Sequence, residues 1–213
     1  VAKPANVDWH ETSGMGVGAI MALQGMRDHG KVEAGQRVLI NGAAGGVGIP
    51  AVQIAKWMGA EVTAVCSTRN VELIRSLGAD HVVDYTQSDF AETDTTYDVF
   101  FDNQANRPPR VCKRLLVDGG TYLVVGGAAT SRMFGPLPAM LRALTSFKVG
   151  GRRGATFIAE DKAEDLEILG DLMRWGDLRA FIDSVHPLDG VVEAIDLLGT
   201  GHARGKIMID PRA

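Results

Sequence analysis

The apolar positions of this chain switch between two periods. Short, nearly continuous runs recur at Arg37–Asn41, Glu61–Val65, His81–Asp84, Tyr97–Asp102 and Thr121–Val125. Runs of this length predict strands buried on both faces, as in a parallel sheet. Between them the spacing lengthens to the period of a helix. Helices are expected from His10 to Arg27, ending near Gly30, from about Gly46 to Met58, from Asn70 to a stop at Gly78, and from about Pro109 to Val117. In the second of these, Val47, Ala51, Val52, Ile54, Ala55 and Met58 share one face. The second half is less regular. It predicts a helix over 134–144, a strand over 146–149, an amphipathic helix over 163–175, a short strand over 181–185, a helix over 190–198 capped by Asp189, and a closing strand over 206–210. Strand and helix in alternation favour a doubly wound α/β domain, with a mostly parallel six-stranded sheet and helices on both faces.

The first strand runs into Gly42-Ala43-Ala44-Gly45-Gly46-Val47-Gly48 and then a helix. Glycines there permit a tight turn with open backbone, and the helix start adds unpaired N–H groups and the positive end of its dipole. Pro50 suits a first helical turn, where an N–H has no partner to lose. Strand, glycine turn, helix and a second strand on schedule predict a pyrophosphate site of the Rossmann type. A second glycine cluster, Gly14-Met15-Gly16-Val17-Gly18, has no strand before it and reads as the small-residue face of a closely packed helix.

The residues after the second strand bear on which dinucleotide binds. An NAD site places a carboxylate there for the ribose 2′-hydroxyl. This chain has Cys66-Ser67-Thr68-Arg69-Asn70, with no acid before Glu72. Ser67 and Thr68 can donate to a 2′-phosphate, and Arg69 adds a guanidinium suited to it. Arg69 alone also fits a solvated first-turn residue. The missing acid tips the reading to NADP(H).

Length and composition narrow the class. The 213 residues, 46% hydrophobic and 23% charged, suffice for one large domain over 1–213, with 1–30 as a lead-in segment and helix. Net charge is −4 without a basic stripe, which argues against nucleic acid and anionic lipid as partners. Two cysteines make neither a disulfide framework nor a four-ligand zinc site, and a reducing, cytoplasmic setting is the default. Cys66 reads as a small core residue. The five histidines are scattered and read as surface or strand-end residues. Asp161, Glu164, Asp165 and Glu167 read as a solvated helix start, and Arg152-Arg153 as an exposed pair.

The stretch RVLINGAAGGVGIPAVQIAKWMGAEVTAVCSTRNVELIRSLGADHVVDYT, with YDVFFD, GGTYLVVGG and GHARGKIMID, resembles the zinc-independent, quinone-oxidoreductase-like branch of the medium-chain dehydrogenase/reductases. The resemblance covers essentially the whole chain. It implies a pyrophosphate loop over Ala43–Gly48, with Ala43 at the first glycine position and Gly45 and Gly48 at the other two. It also implies Tyr85 beside the 2′-phosphate or adenine, Gly126 and Gly127 beside the nicotinamide, and Gly205 and Lys206 in the segment that closes over the cofactor. Val17 stands where zinc-dependent members carry a ligand, so no metal site is expected. The family's substrate domain, GroES-like, would precede this region. The chain opens on Val1 and reads as the cofactor-binding part of a longer enzyme.

The implied activity is hydride transfer from NADPH to quinones or α,β-unsaturated carbonyl compounds. The nicotinamide carries that chemistry, so no catalytic residue is nominated. The implied partners are such a small-molecule substrate, the preceding domain and, as an open possibility, a second copy. Two departures keep a non-catalytic NADP(H)-binding module open as the alternative. Met21 replaces a threonine near the nicotinamide, and Asn103-Gln104 follow Asp102 where the family has Asp-x-Val-Gly. Asn103 and Gln104 can still donate hydrogen bonds to the cofactor there.

Overall fold

A computed structural model describes residues 1–126, 146–147, 151–201 and 203–212. Helix α1 (Trp9–Gln24) starts at Asp8, whose carboxylate accepts the Glu11 N–H at 2.7 Å. It kinks at Gly16 and runs into a π-helical turn, Gly25–Gly30, that ends on a left-handed Lys31. Then follow β1 (Arg37–Asn41), α2 (Gly48–Trp57), β2 (Glu61–Cys66), α3 (Val71–Ser76), β3 (His81–Asp84), β4 (Tyr97–Asp102), α4 (Pro109–Arg114), β5 (Leu116–Val124), β6 (Arg153–Ala155), α5 (Ala163–Trp175), β7 (Ile182–His186), α6 (Val191–Gly199) and β8 (Lys206–Ile209).

Six strands form one sheet in the order β3-β2-β1-β4-β5-β6, all parallel. The order reverses between β1 and β4, and a crevice opens there at the carboxyl ends of the strands. β7 and β8 pair in parallel as a separate two-stranded sheet.

Alternation along each strand feeds two cores. Val38, Ile40 and Phe101 face the layer that includes Leu23, Met26 and Ile54. Leu39 and Phe100 face Cys112, Leu115 and Tyr122 on the other side. There Phe100 meets Tyr122 edge-on, with ring centroids 5.2 Å apart. Helix α2 is buried from Gly48 to Ala55 rather than on one face, because α1 covers the side turned away from the sheet.

Several expected elements shift. The helix from Pro109 stops at Arg114, and Leu116 and Val117 already pair in β5. The sixth strand is β6. The helix expected over 134–144 lies outside the described residues, as do residues 148–149 of the strand expected over 146–149. Asp189 does not cap α6. Residues Leu188–Gly190 already turn as a 3-10 segment, which puts Asp189 inside the turn and Gly190 at the cap. Arg152 is half-buried rather than exposed, donating to the Leu116 carbonyl at 3.0 Å.

Asp165 is not solvated. It is 1% exposed and accepts from Gln24 at 2.7 Å and Arg27 at 2.6 Å, tying α5 to α1 and its π-helical turn. Burial pushes its carboxyl up, but these two bonds outweigh that and hold it below the ordinary aspartate range.

Candidate functional site

The turn after β1 depends on glycine at two places. Gly42 has φ +80°, a conformation L side chains rarely adopt. At Gly48 a Cβ would lie 2.2 Å from the Gly42 carbonyl oxygen. The Ala43 N–H donates to Val65, and the Ile49 N–H to Gly45, so the turn folds directly into α2. Helix α1 presses on it from one side. A Cβ on Gly18 would lie 2.1 Å from the Gly46 carbonyl oxygen, which explains the small-residue face of that helix.

The approach to β8 closes on the same turn. The Gly205 N–H donates to the Ala44 carbonyl at 2.9 Å. The Lys206 ammonium then lies 2.7 Å from the place a Cβ on Gly46 would occupy. It is half-buried and makes no hydrogen bond or ion pair among the described residues. Burial lowers its pKa from the ordinary lysine value. An unpaired ammonium above a helix start is a place for an anion.

From this turn a cleft of about 380 Å³ extends over the carboxyl end of β1. One wall is Ser67, Arg69 and Asn70 from the end of β2, with Tyr85 beyond β3. The other is Gln104, Asn106 and Arg107 from the loop after β4. Ser67 accepts from the Asn70 amide at 3.0 Å, and exposed Arg69 has no ion-pair partner among the described residues. Tyr85 is 57% exposed. Thr68 turns to Thr86 instead, 2.7 Å away. The acid nearest this wall is Asp84, which accepts from the Thr86 N–H and hydroxyl and from Gln87. Hydrogen bonds from Thr68 and Thr86 hold its carboxyl below the ordinary range.

The loop after β4 hangs on a buried carboxylate. Asp102 accepts from the Asn41 amide at 2.9 Å, the Gln104 and Ala105 N–H groups at 3.0 and 2.9 Å, and the Tyr122 hydroxyl at 2.8 Å. Burial and this neighbour push the Tyr122 hydroxyl well above its ordinary pKa. Gln104 is thereby laid over Gly42, and Asn103 donates to the Asn41 carbonyl at 3.2 Å. Gly126 packs against Asn103, whose carbonyl oxygen would be 2.7 Å from a Cβ there.

Of the residues singled out in the sequence, Gly45, Ser67, Arg69, Tyr85 and Gln104 line this cleft. Gly46, Val47, Gly48, Gly205 and Lys206 gather at its glycine end. Ala43 is buried beneath the turn, Thr68 is off the cleft, and Asn103 and Gly126 meet behind its β4 wall. Gly127 lies outside the described residues. Sequence reasoning missed Asn41, Phe90, Asn106 and Arg107, all of which line the cleft. Asn70 Oδ1 and Arg107 Nε at this edge, and Asn103 Oδ1 behind it, are buried without partners among the described residues. Such orphaned donors and acceptors, with the unpaired lysine, fit a polar, anionic ligand such as a dinucleotide.

Other chemistry is sparse. Among the described residues no three His, Cys, Asp or Glu side chains are grouped as metal ligands. Val17 is exposed on α1. His10 and His81 pair with Asp210 and Glu61, His29 stacks on Phe157, and His186 bonds Ser184. His202 lies outside the described residues. Burial pushes the Cys66 and Cys112 thiols up to about 11 and about 12, so neither is a thiolate at neutral pH.

Comparison with known proteins places the fold. A family model described as "Zinc-binding dehydrogenase" matches residues 77–209. Trans-enoyl reductase pgmF of Aspergillus terreus (strain NIH 2624 / FGSC A1156) is 37% identical over 218 residues, covering 98% of this chain and 61% of that protein. The chloroplastic quinone-oxidoreductase QR1 of Triphysaria versicolor is 33% identical over 220 residues, 99% of this chain and 65% of its own. The solved quinone oxidoreductase from Coxiella burnetii superposes with a TM-score of 0.85 at 27% identity, over 98% of this chain and 63% of that one. The chain thus spans less than two thirds of each. No helix among the described residues is long and apolar enough to cross a membrane. With its strand order, its glycine turn and these relatives in agreement, the chain belongs to the zinc-binding dehydrogenase family, among the quinone-oxidoreductase-like medium-chain dehydrogenase/reductases.

Proposed function

We propose that this chain is the NADPH-binding part of a zinc-free reductase that passes hydride to quinones or α,β-unsaturated carbonyl compounds. The observation that carries the reading is Lys206, an unpaired, half-buried ammonium held over Gly46 at the start of α2. It would meet the cofactor's pyrophosphate, with the first N–H groups of α2. Ser67 and Arg69 would meet a ribose 2′-phosphate. The oxygens of the neighbouring acid, Asp84, are taken by Thr86 and Gln87 rather than offered to a ribose 2′-hydroxyl as an NAD site requires. Gln104 and Asn103 would border the nicotinamide ribose, and Gly126 leaves room beside them.

When bound, reduced nicotinamide supplies the hydride. The protein's work is to hold the dinucleotide by its phosphates and to fix the β4 loop through Asp102. No side chain of this region is assigned proton transfer. Val17 supports the zinc-free assignment, since valine has no ligand atom. The names of the relatives, an enoyl reductase and a quinone oxidoreductase, support the substrate class. The substrate-facing wall falls to the part of the relatives' length that this chain does not span. The cytoplasm is the proposed compartment.

The test is a steady-state assay of NADPH oxidation with a quinone and an enone, using this chain alone and joined to an N-terminal substrate domain. Turnover only by the joined protein is expected, because hydride transfer needs donor and acceptor held in near-attack geometry. Vigorous reduction by this chain alone would show a complete active site. Cofactor binding with no turnover in either form would favour the non-catalytic module, for which the placement of Gln104 over Gly42 is the supporting observation.

A further inference from the structure

We propose that Arg107 is the stacking wall for the adenine of the cofactor, a residue that sets affinity for the adenosine half irrespective of the 2′-phosphate. The proposal rests on the reading of the cleft as a nicotinamide-dinucleotide site. Arg107 lies over Phe90, its guanidinium carbon 5.2 Å from the ring centroid, and both line the cleft. Phe90 is itself fixed, buried and edge-on to Phe100 at 6.1 Å. Asp89 accepts from Arg107 Nη2 at 2.8 Å, a single charge-assisted bond that holds one end of the guanidinium. Phe90 and Asp89 thus orient one planar cation.

Sheet order places this plane opposite the other wall. β2 and β4 flank β1, so Ser67–Asn70 and Gln104–Arg107 stand on either side of its carboxyl end. A flat ring entering between them would meet the guanidinium, whose side chain is 32% exposed. Arginine planes stack on aromatic rings, and nucleobases take such platforms without regard to their hydrogen-bonding edge. Charge recognition of a phosphate is the weaker alternative, because Asp89 already neutralises Arg107 while Arg69 has no such partner. Arg107 Nε, buried and unpartnered, leaves one donor at the rim of this wall.

The two roles separate in a titration of NADPH and NADH against the unmodified chain, Arg107→Ala and Arg107→Lys, with circular dichroism and an unfolding midpoint as folding controls. Stacking predicts that both variants raise Kd roughly tenfold, for NADPH and NADH alike. Lysine keeps the charge and the Asp89 pair but has no plane, so it does not rescue. Unchanged affinity in a folded Arg107→Ala chain, rescue by lysine, or a loss confined to NADPH would each overturn the proposal while leaving the cofactor site standing. Failure of the unmodified chain to bind either cofactor would instead overturn the cofactor reading, and this proposal with it.

Discussion

Gly18 and Gly46 touch backbone to backbone: a Cβ on Gly18 would lie 2.1 Å from the Gly46 carbonyl oxygen. The helix before the sheet therefore supports the glycine turn directly. Gly18→Ala forces the two apart, and neither α1 nor the turn can give way cheaply. The expected cost is about 1–3 kcal/mol, the range for overpacking a close contact. Because the displaced group is the turn itself, cofactor affinity should fall with stability. Denaturant unfolding and a cofactor titration on the same variant check both.

Lys206 carries a burial penalty. Its burial disfavours the charged form, so the ammonium opposes folding at neutral pH, and that penalty lessens as pH rises through its lowered pKa. Lys206→Met should raise the unfolding midpoint while weakening NADPH and NADH alike. In the unmodified chain, NADPH affinity should fall on the alkaline side at a pH below the ordinary lysine range, and the variant should lose that dependence. A midpoint and a pH series of dissociation constants measure the two effects.

Arg69 should act differently from Lys206. It is exposed on the β2 wall of the cleft and unpaired among the described residues, so if it meets the 2′-phosphate Arg69→Ala should weaken NADPH about five- to thirtyfold, equivalent to roughly 1–2 kcal/mol for a charge-assisted contact. NADH should be nearly unaffected. Calorimetry with both cofactors reads the difference.

Asp165 links the fold to pH. Its folded carboxyl is held below the ordinary range, so its stabilisation is present above about pH 4, the unfolded value, and is lost as pH falls through the lowered one. Asp165→Ala takes one carboxylate from Arg27, which keeps Asp28, and one acceptor from Gln24, which keeps the Glu160 backbone, so it should cost about 1–2 kcal/mol, the range for charge-assisted contacts of a partly solvated arginine. The variant's unfolding free energy should then vary less than the parent's between neutral and acid pH.

Legibility followed locality. Strand, glycine turn and helix are contiguous, so Gly42 and Gly48 could be read before any contact was known, and so could the close packing of Gly18. Asp165 could not, because its partner Arg27 is 138 positions away and turns an apparently solvated helix start into a buried pair. Helix α2 looked amphipathic because sequence periodicity does not show that α1 covers its outer face. Phe90 and Arg107 sit in separate loops, after β3 and after β4, and meet only through the sheet order. The Asn-Arg-Pro-Pro stretch signals a turn and nothing about the cleft.

The proposed cofactor site, the cleft between Ser67 and Arg107, would hold NADPH through Lys206 and the glycine turn. Calorimetric titration of NADPH and NADH into the unmodified chain and into Gly46→Asp tests it most directly. A carboxylate at position 46 would arise where the Lys206 ammonium lies 2.7 Å from the Cβ site, taking the anion's place. One NADPH should bind per chain, more tightly than NADH, and a folded Gly46→Asp chain should show no measurable binding. Equal affinity for the two cofactors, or NADPH affinity unchanged by an aspartate at position 46, would contradict it.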